Sequence, residues 1–85
     1  MDEPALAERI QAALAEHLGR DRATIQPSLK LRDDLGLDSV ATVELLFEIE
    51  EEFDLQIPDE DLVQLSTVQH VIDYVGRKLA EPGES

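Results

Sequence analysis

The sequence predicts an all-α protein, a four-helix bundle with three longer helices, one short helix and a long first loop. Apolar residues recur at helical spacing in three stretches, and no stretch shows the strict alternation typical of strands. The 85 residues suffice for one modest core and are too few for a deep, buried active site. We expect one domain over residues 1–80 and a flexible tail over residues 81–85.

The first helix is predicted by an apolar stripe near the N-terminus. Pro4 suits its first turn and Gly19 suits its end. Residues 20–34 contain Pro27 and scattered apolar residues without a sustained period, which predicts a long packed loop. The members of the stripe are Leu6, Ile10, Leu14 and Leu18.

The second helix, predicted from about Val40 to Phe53, has two apolar faces. Three apolar side chains edged by carboxylates are typical of a surface that binds another protein, although they would also fit a wider buried stripe. The core stripe contains Leu45, Leu46, Ile49 and Phe53. The other face, which we call the docking face, contains Val40, Val43 and Phe47 with Glu44, Glu48 and Glu51 at its edge.

Two further helices follow. Pro58 and the acidic run after it predict a short helix through about Leu65. The segment from Ser66 to Gln69 fits a capping box, with Ser66 as the N-cap and the Gln69 side chain reaching back. The last helix carries apolar residues at helical spacing and two cations near its end: Val68, Val71, Ile72, Val75, Leu79, Arg77 and Lys78.

Charge narrows the possible partners. The net charge is −13, and no lysine or arginine occurs between Arg32 and Arg77. Such an acidic block repels nucleic acid and anionic lipid and attracts basic protein surfaces, so we expect neither nucleic acid nor membrane as a partner. No signal peptide or apolar span is indicated, and we expect a cytoplasmic protein. A small cationic group, interpreted as balancing the acidic half, precedes residue 39: Arg20, Arg22, Lys30 and Arg32.

The sequence does not supply a recognisable set of catalytic residues. There is no cysteine, and neither His17 nor His70 is accompanied by a glycine-rich turn or a nucleophile. The adjacent acids Asp59, Glu60 and Asp61 lack the alternation of a calcium loop, and no metal site is expected. The sequence therefore favours a non-catalytic protein.

One serine stands apart from these features. Ser39 lies at the start of the acidic second helix, where its hydroxyl would point outward, and Gly36 allows a partner's backbone to approach. Asp38 is placed to hold a metal or to position a proton acceptor that a partner supplies. This environment favours covalent modification of Ser39 by another enzyme, although a Ser39 that only caps the helix is the simpler alternative.

These residues resemble the acyl carrier proteins of fatty acid and polyketide synthesis. The resemblance covers most of the chain, in the segments 33–39, 43–45, 50–53, 57–60 and 67–75. It implies a four-helix carrier fold in which Ser39 receives 4′-phosphopantetheine from coenzyme A through a phosphopantetheinyl transferase. An acyl group would then be carried as a thioester on the thiol of that arm, by a freestanding, monomeric carrier.

The resemblance also implies roles for neighbouring residues. Asp38 would assist the magnesium-dependent attachment. The partners implied are the transferase and the basic surfaces of a ketosynthase, acyltransferase, reductase or similar enzyme. The residues that would meet them are Val40, Val43, Glu44, Phe47, Glu48, Glu50 and Glu51.

Departures from the family pattern leave partner choice open. Val40 replaces a common leucine or methionine, Ala41 a common acidic residue, and Glu48 a common small residue. Two alternatives remain at this stage. One is a discrete carrier of aminoacyl groups in nonribosomal peptide assembly, and the other is an unmodified acidic module that binds a basic partner.

Overall fold

A computed structural model describes the backbone of residues 3–80 and the side chains of residues 5–80. Helix α1 spans Glu3–Leu18, α2 spans Ser39–Phe53, the single-turn α3 spans Asp59–Leu62, and α4 spans Val68–Ala80. The predicted all-α, four-helix fold is confirmed. Helix α3 ends three residues before the predicted Leu65, and the predicted tail, residues 81–85, lies outside the described residues.

The core lies where α1 packs against α2 and α4. Within residues 5–80 it contains only apolar and aromatic side chains, and no charged residue is buried there. The predicted core stripe of α2 is confirmed at all four positions. Leu79 continues the helical spacing of α4, but its side chain is 43% exposed near the end of that helix. The fully buried side chains are Ile10, Leu14, Ile25, Leu31, Leu45, Leu46, Ile49, Val68, Val71 and Val75.

The long loop between α1 and α2 has more structure than predicted. It begins after Gly19, whose φ of +67° ends α1 as expected. A short 3₁₀ helix spans Arg22–Thr24, and Lys30 forms an isolated antiparallel bridge with Thr67. Its packed character is confirmed by four buried side chains: Ile25, Leu31, Leu35 and Leu37.

Hydrogen bonds from the start of α4 hold this loop in place. The first N–H groups of a helix have no partner within the helix itself. Here the Val68 N–H donates to the Leu29 carbonyl at 3.0 Å, and the Gln69 N–H donates to the Pro27 carbonyl at 2.8 Å. The orphan donors of α4 are therefore satisfied by loop carbonyls, which hold the loop against the helix end.

The predicted capping box was wrong. Thr67 is the N-cap of α4, since its carbonyl accepts the Val71 N–H at 3.2 Å and its Oγ1 accepts the His70 N–H at 3.1 Å. Ser66 is excluded from this position because its carbonyl accepts the Leu31 N–H at 2.9 Å instead. The Gln69 side chain reaches forward and donates to Asp73 Oδ1 at 2.8 Å.

None of the helices in the described part of the chain is long and apolar enough to cross a membrane.

The cap assignment makes a testable prediction. Thr67→Ala removes the acceptor of the His70 N–H and should lower the free energy of unfolding by about 0.5–2 kcal/mol. Ser66→Ala is the matched control and should change it by less than about 0.5 kcal/mol. Urea unfolding followed by far-UV circular dichroism measures both. A larger loss for Ser66→Ala would restore Ser66 as the cap.

Candidate functional site

Ser39 is the first residue of α2, and the helix is capped by its neighbour. The Asp38 Oδ1 atom accepts the Ala41 N–H at 2.8 Å, and the Asp38 carbonyl accepts the Thr42 N–H at 2.9 Å. The cap is therefore supplied by Asp38, with backbone in the extended region. Ser39 is exposed, and its hydroxyl accepts no backbone N–H of the described residues, so the simpler alternative for this serine does not hold.

The turn before Ser39 holds it at the surface. Leu35 and Leu37 are buried and anchor the chain on either side of Gly36. Gly36 has φ +72°, a left-handed conformation that favours glycine, and no heavy atom lies within 4 Å of the position where a Cβ would be. The backbone beside the serine is thus open to solvent, as the sequence predicted.

Arg32 contacts the serine directly. Its Nη2 atom donates to Ser39 Oγ at 3.0 Å. Sequence analysis placed Arg32 only in a general cationic group and missed this contact. No periodic pattern predicts this contact, because the chain between the two residues is a turn and not a helix or strand, and the path of that turn depends on buried leucines.

A groove opens beside Ser39. It has a volume of about 260 Å³ and lies between α2 and the segment from α3 to the start of α4. Val63, which sequence analysis did not single out, lines this groove and is 82% exposed. The residues lining it are Arg32, Ser39, Thr42, Val43, Leu46, Leu62, Val63, Leu65 and Ser66.

The apolar residues of the docking face lie outside the core. Val40 is 67% exposed and Phe47 is 51% exposed, while Val43 is partly buried where it borders the groove. Glu44, Glu48 and Glu51 are all exposed. The alternative in which the three apolar residues simply widen the buried stripe is therefore wrong for Val40 and Phe47.

Glu50 differs from the other carboxylates of α2. Its side chain is partly buried, and its Oε2 atom accepts the Ile57 N–H at 2.6 Å. This contact ties the last turn of α2 to the chain that leads into α3. The Glu50 carboxylate is thus hydrogen-bonded within the protein, whereas Glu44 and Glu51 are exposed.

Both histidines are exposed, and neither makes a hydrogen bond to Ser39 within residues 5–80. His17 is exposed in the last turn of α1. His70 is exposed on α4, and its Nδ1 atom lies 3.1 Å from Ser66 Oγ. Among the described residues, no three side chains of the metal-binding types cluster closely enough to hold an ion.

Known proteins resemble this chain over most of its length. A family model described as "Phosphopantetheine attachment site" matches residues 8–75. The chain is 46% identical over 78 residues to "Acyl carrier protein" of Chlorobium phaeobacteroides, which covers 92% of this chain and 100% of that protein. It is 44% identical over 78 residues to "Acyl carrier protein" of Chlorobium luteolum, with the same coverage. For "Acyl carrier protein" of Cyanidioschyzon merolae, the identity is 41% over 75 residues, 88% of this chain and 82% of that protein.

Measuring the free energy of unfolding tests whether Asp38 or Ser39 caps α2. Asp38→Ala removes the cap and should lower the free energy of unfolding by about 0.5–2 kcal/mol, whereas Asp38→Asn keeps a capping oxygen and should stay near the parent. Ser39→Ala should change it by less than about 0.5 kcal/mol. Urea unfolding checks all three, and a Ser39→Ala loss as large as that of Asp38→Ala would make the serine a structural cap.

Proposed function

This chain belongs to the phosphopantetheine-binding acyl carrier protein family, and on that premise we propose that Ser39 is its attachment residue. The observation that carries the proposal is a serine hydroxyl that is exposed at the first position of α2 and is not required by the fold. The family's cofactor is 4′-phosphopantetheine. When bound, it supplies a terminal thiol on which an acyl group is held as a thioester.

The residues around Ser39 fit such an attachment. Ser39 Oγ would attack the pantetheine-linked phosphorus of coenzyme A, the phosphoanhydride bond would break to release adenosine 3′,5′-bisphosphate, and the hydroxyl proton would pass to a base of the transferase. Asp38 uses Oδ1 for the helix cap, and its Oδ2 receives no hydrogen bond from the described residues. We propose that this second oxygen assists the transferase's magnesium ion.

The docking face supports the second half of the proposal, that partner enzymes bind along α2. Phe47 and Val40 offer exposed apolar area, and aromatic side chains are frequent anchors of protein interfaces. Glu44, Glu48 and Glu51 would attract basic partner surfaces, each contributing roughly 0–1 kcal/mol. Glu50, already bonded to Ile57, is expected to contribute less than Glu44 or Glu51.

We propose that the cargo is an acyl intermediate of fatty acid or polyketide synthesis. The names of the relatives support acyl over aminoacyl cargo. The reading as an unmodified acidic module loses support because it needs Ser39 to be only a cap, a position that Asp38 occupies. We keep residues 1–80 as the extent of the carrier domain, which contains the matched residues 8–75.

The proposed attachment makes a direct prediction. Incubation with coenzyme A, magnesium and a broad-specificity phosphopantetheinyl transferase should raise the intact mass by one phosphopantetheine. Ser39→Ala should show no gain, because it removes the only atom that forms the bond. Circular dichroism checks that the variant is folded. A mass gain in Ser39→Ala, or none in the parent protein with an active transferase, would refute the proposal.

The docking face makes a separate prediction. Phe47→Asp should slow the transferase's modification of Ser39 at least about tenfold, equivalent to roughly 1.4 kcal/mol, because it replaces an apolar anchor by a charge that binds water. Helix content should remain, since Phe47 lies outside the core. Ala12→Asp adds the same charge at an exposed position of α1 and is the matched control. Equal rates for the two variants would remove Phe47 from the interface.

A further inference from the structure

Arg32 is a cation with no carboxylate partner among residues 5–80 of a strongly acidic protein. Asp33, Asp34 and Asp38 are close in sequence, yet no carboxylate oxygen of the described residues lies within 4.0 Å of its guanidinium. Its side chain makes one hydrogen bond within residues 5–80, the contact from Nη2 to Ser39 Oγ. The guanidinium is therefore directed to the one oxygen that the proposed function modifies.

Two of the nearby carboxylates each use one oxygen to accept a backbone hydrogen bond. Asp38 Oδ1 accepts the Ala41 N–H, and Asp34 Oδ2 accepts the Lys30 N–H at 2.8 Å. An anion added at Ser39 would join a region that already carries these negative charges, at a cost in repulsion. Arg32 is the cation in contact with the serine, so it is placed to offset that cost.

We propose that Arg32 binds the phosphodiester of the phosphopantetheine arm once the arm is attached to Ser39. This inference rests on the proposed function, because it assumes that Ser39 is modified. The phosphodiester carries one negative charge, shared by two non-bridging oxygens on the phosphorus atom that is bonded to Oγ. A guanidinium is suited to such a group, since it remains charged and presents several N–H donors in a planar fork.

The consequence is a defined starting direction for the arm. Arg32 and Ser39 both line the groove beside α2. A phosphodiester held by Arg32 keeps the root of the arm at the mouth of this groove, whereas a phosphodiester bound only to the serine is free to rotate about the Cβ–Oγ bond. Arg32 is thus a positioning residue, separate from the attachment chemistry.

Nuclear magnetic resonance tests the contact on the modified protein itself. Intact mass first establishes that the arm is attached. The Nε–H signal of Arg32 should then shift between the unmodified and modified forms, and that of Arg22, an exposed arginine of the 3₁₀ helix, should not. In modified protein, the ³¹P signal of the phosphodiester should shift in Arg32→Gln and remain unchanged in Arg22→Gln, which loses the same charge.

Salt gives a second readout, because the contact is exposed and electrostatic. Raising the ionic strength to about 1 M, where the Debye length is about 3 Å, should move the parent ³¹P signal towards that of Arg32→Gln. The inference is overturned if the Arg32 Nε–H signal is the same in the unmodified and modified forms and the ³¹P signal is unchanged by Arg32→Gln. Arg32 would then contact only the unmodified serine. Absence of any mass gain overturns the proposed function and this inference with it.

Discussion

The fold around Ser39 depends on backbone N–H groups at the start of α4 that have no partner within the helix. These donors bind carbonyls of the long loop, and the Leu31 N–H returns the contact to the Ser66 carbonyl. The loop is thereby held at both sides of the Lys30–Thr67 bridge, and Leu31, Leu35 and Leu37 are buried beneath it. Because the loop leads directly into Asp38, the position of the serine follows from helix-end hydrogen bonding more than 25 residues away in sequence.

Helix α2 combines three roles by dividing its surface. Its inner stripe is fully or nearly buried, its N-terminus presents Ser39, and its outer face presents Phe47 among carboxylates. The roles interfere little because different residues serve them: Asp38 caps, Ile49 packs and Glu50 secures the following chain. If partner enzymes bind the outer face as proposed, weak and screened contacts there favour rapid arrival and rapid release, which suits a carrier protein.

Features that depend on local periodicity were predictable from sequence. The α2 core stripe follows from helical spacing. The exposure of Val40 and Phe47 does not, because the same spacing also fits a wider buried stripe. The α4 cap was not predictable, because Ser66 and Thr67 are both good caps and the choice is made by Leu31, a residue of the distant loop. The contact of Arg32 with Ser39 was also not predictable, because it depends on a turn that has no periodic pattern.

The short helix α3 gives the groove two unequal walls. The α2 wall includes Leu46, which is fully buried, whereas α3 buries none of its four residues completely. A hydrogen bond from the Tyr74 hydroxyl to Asp61 Oδ2 at 2.6 Å ties α3 to α4. Segments with so little buried apolar surface open at low free-energy cost. We therefore expect the α3 side of the groove to yield more readily than the α2 side.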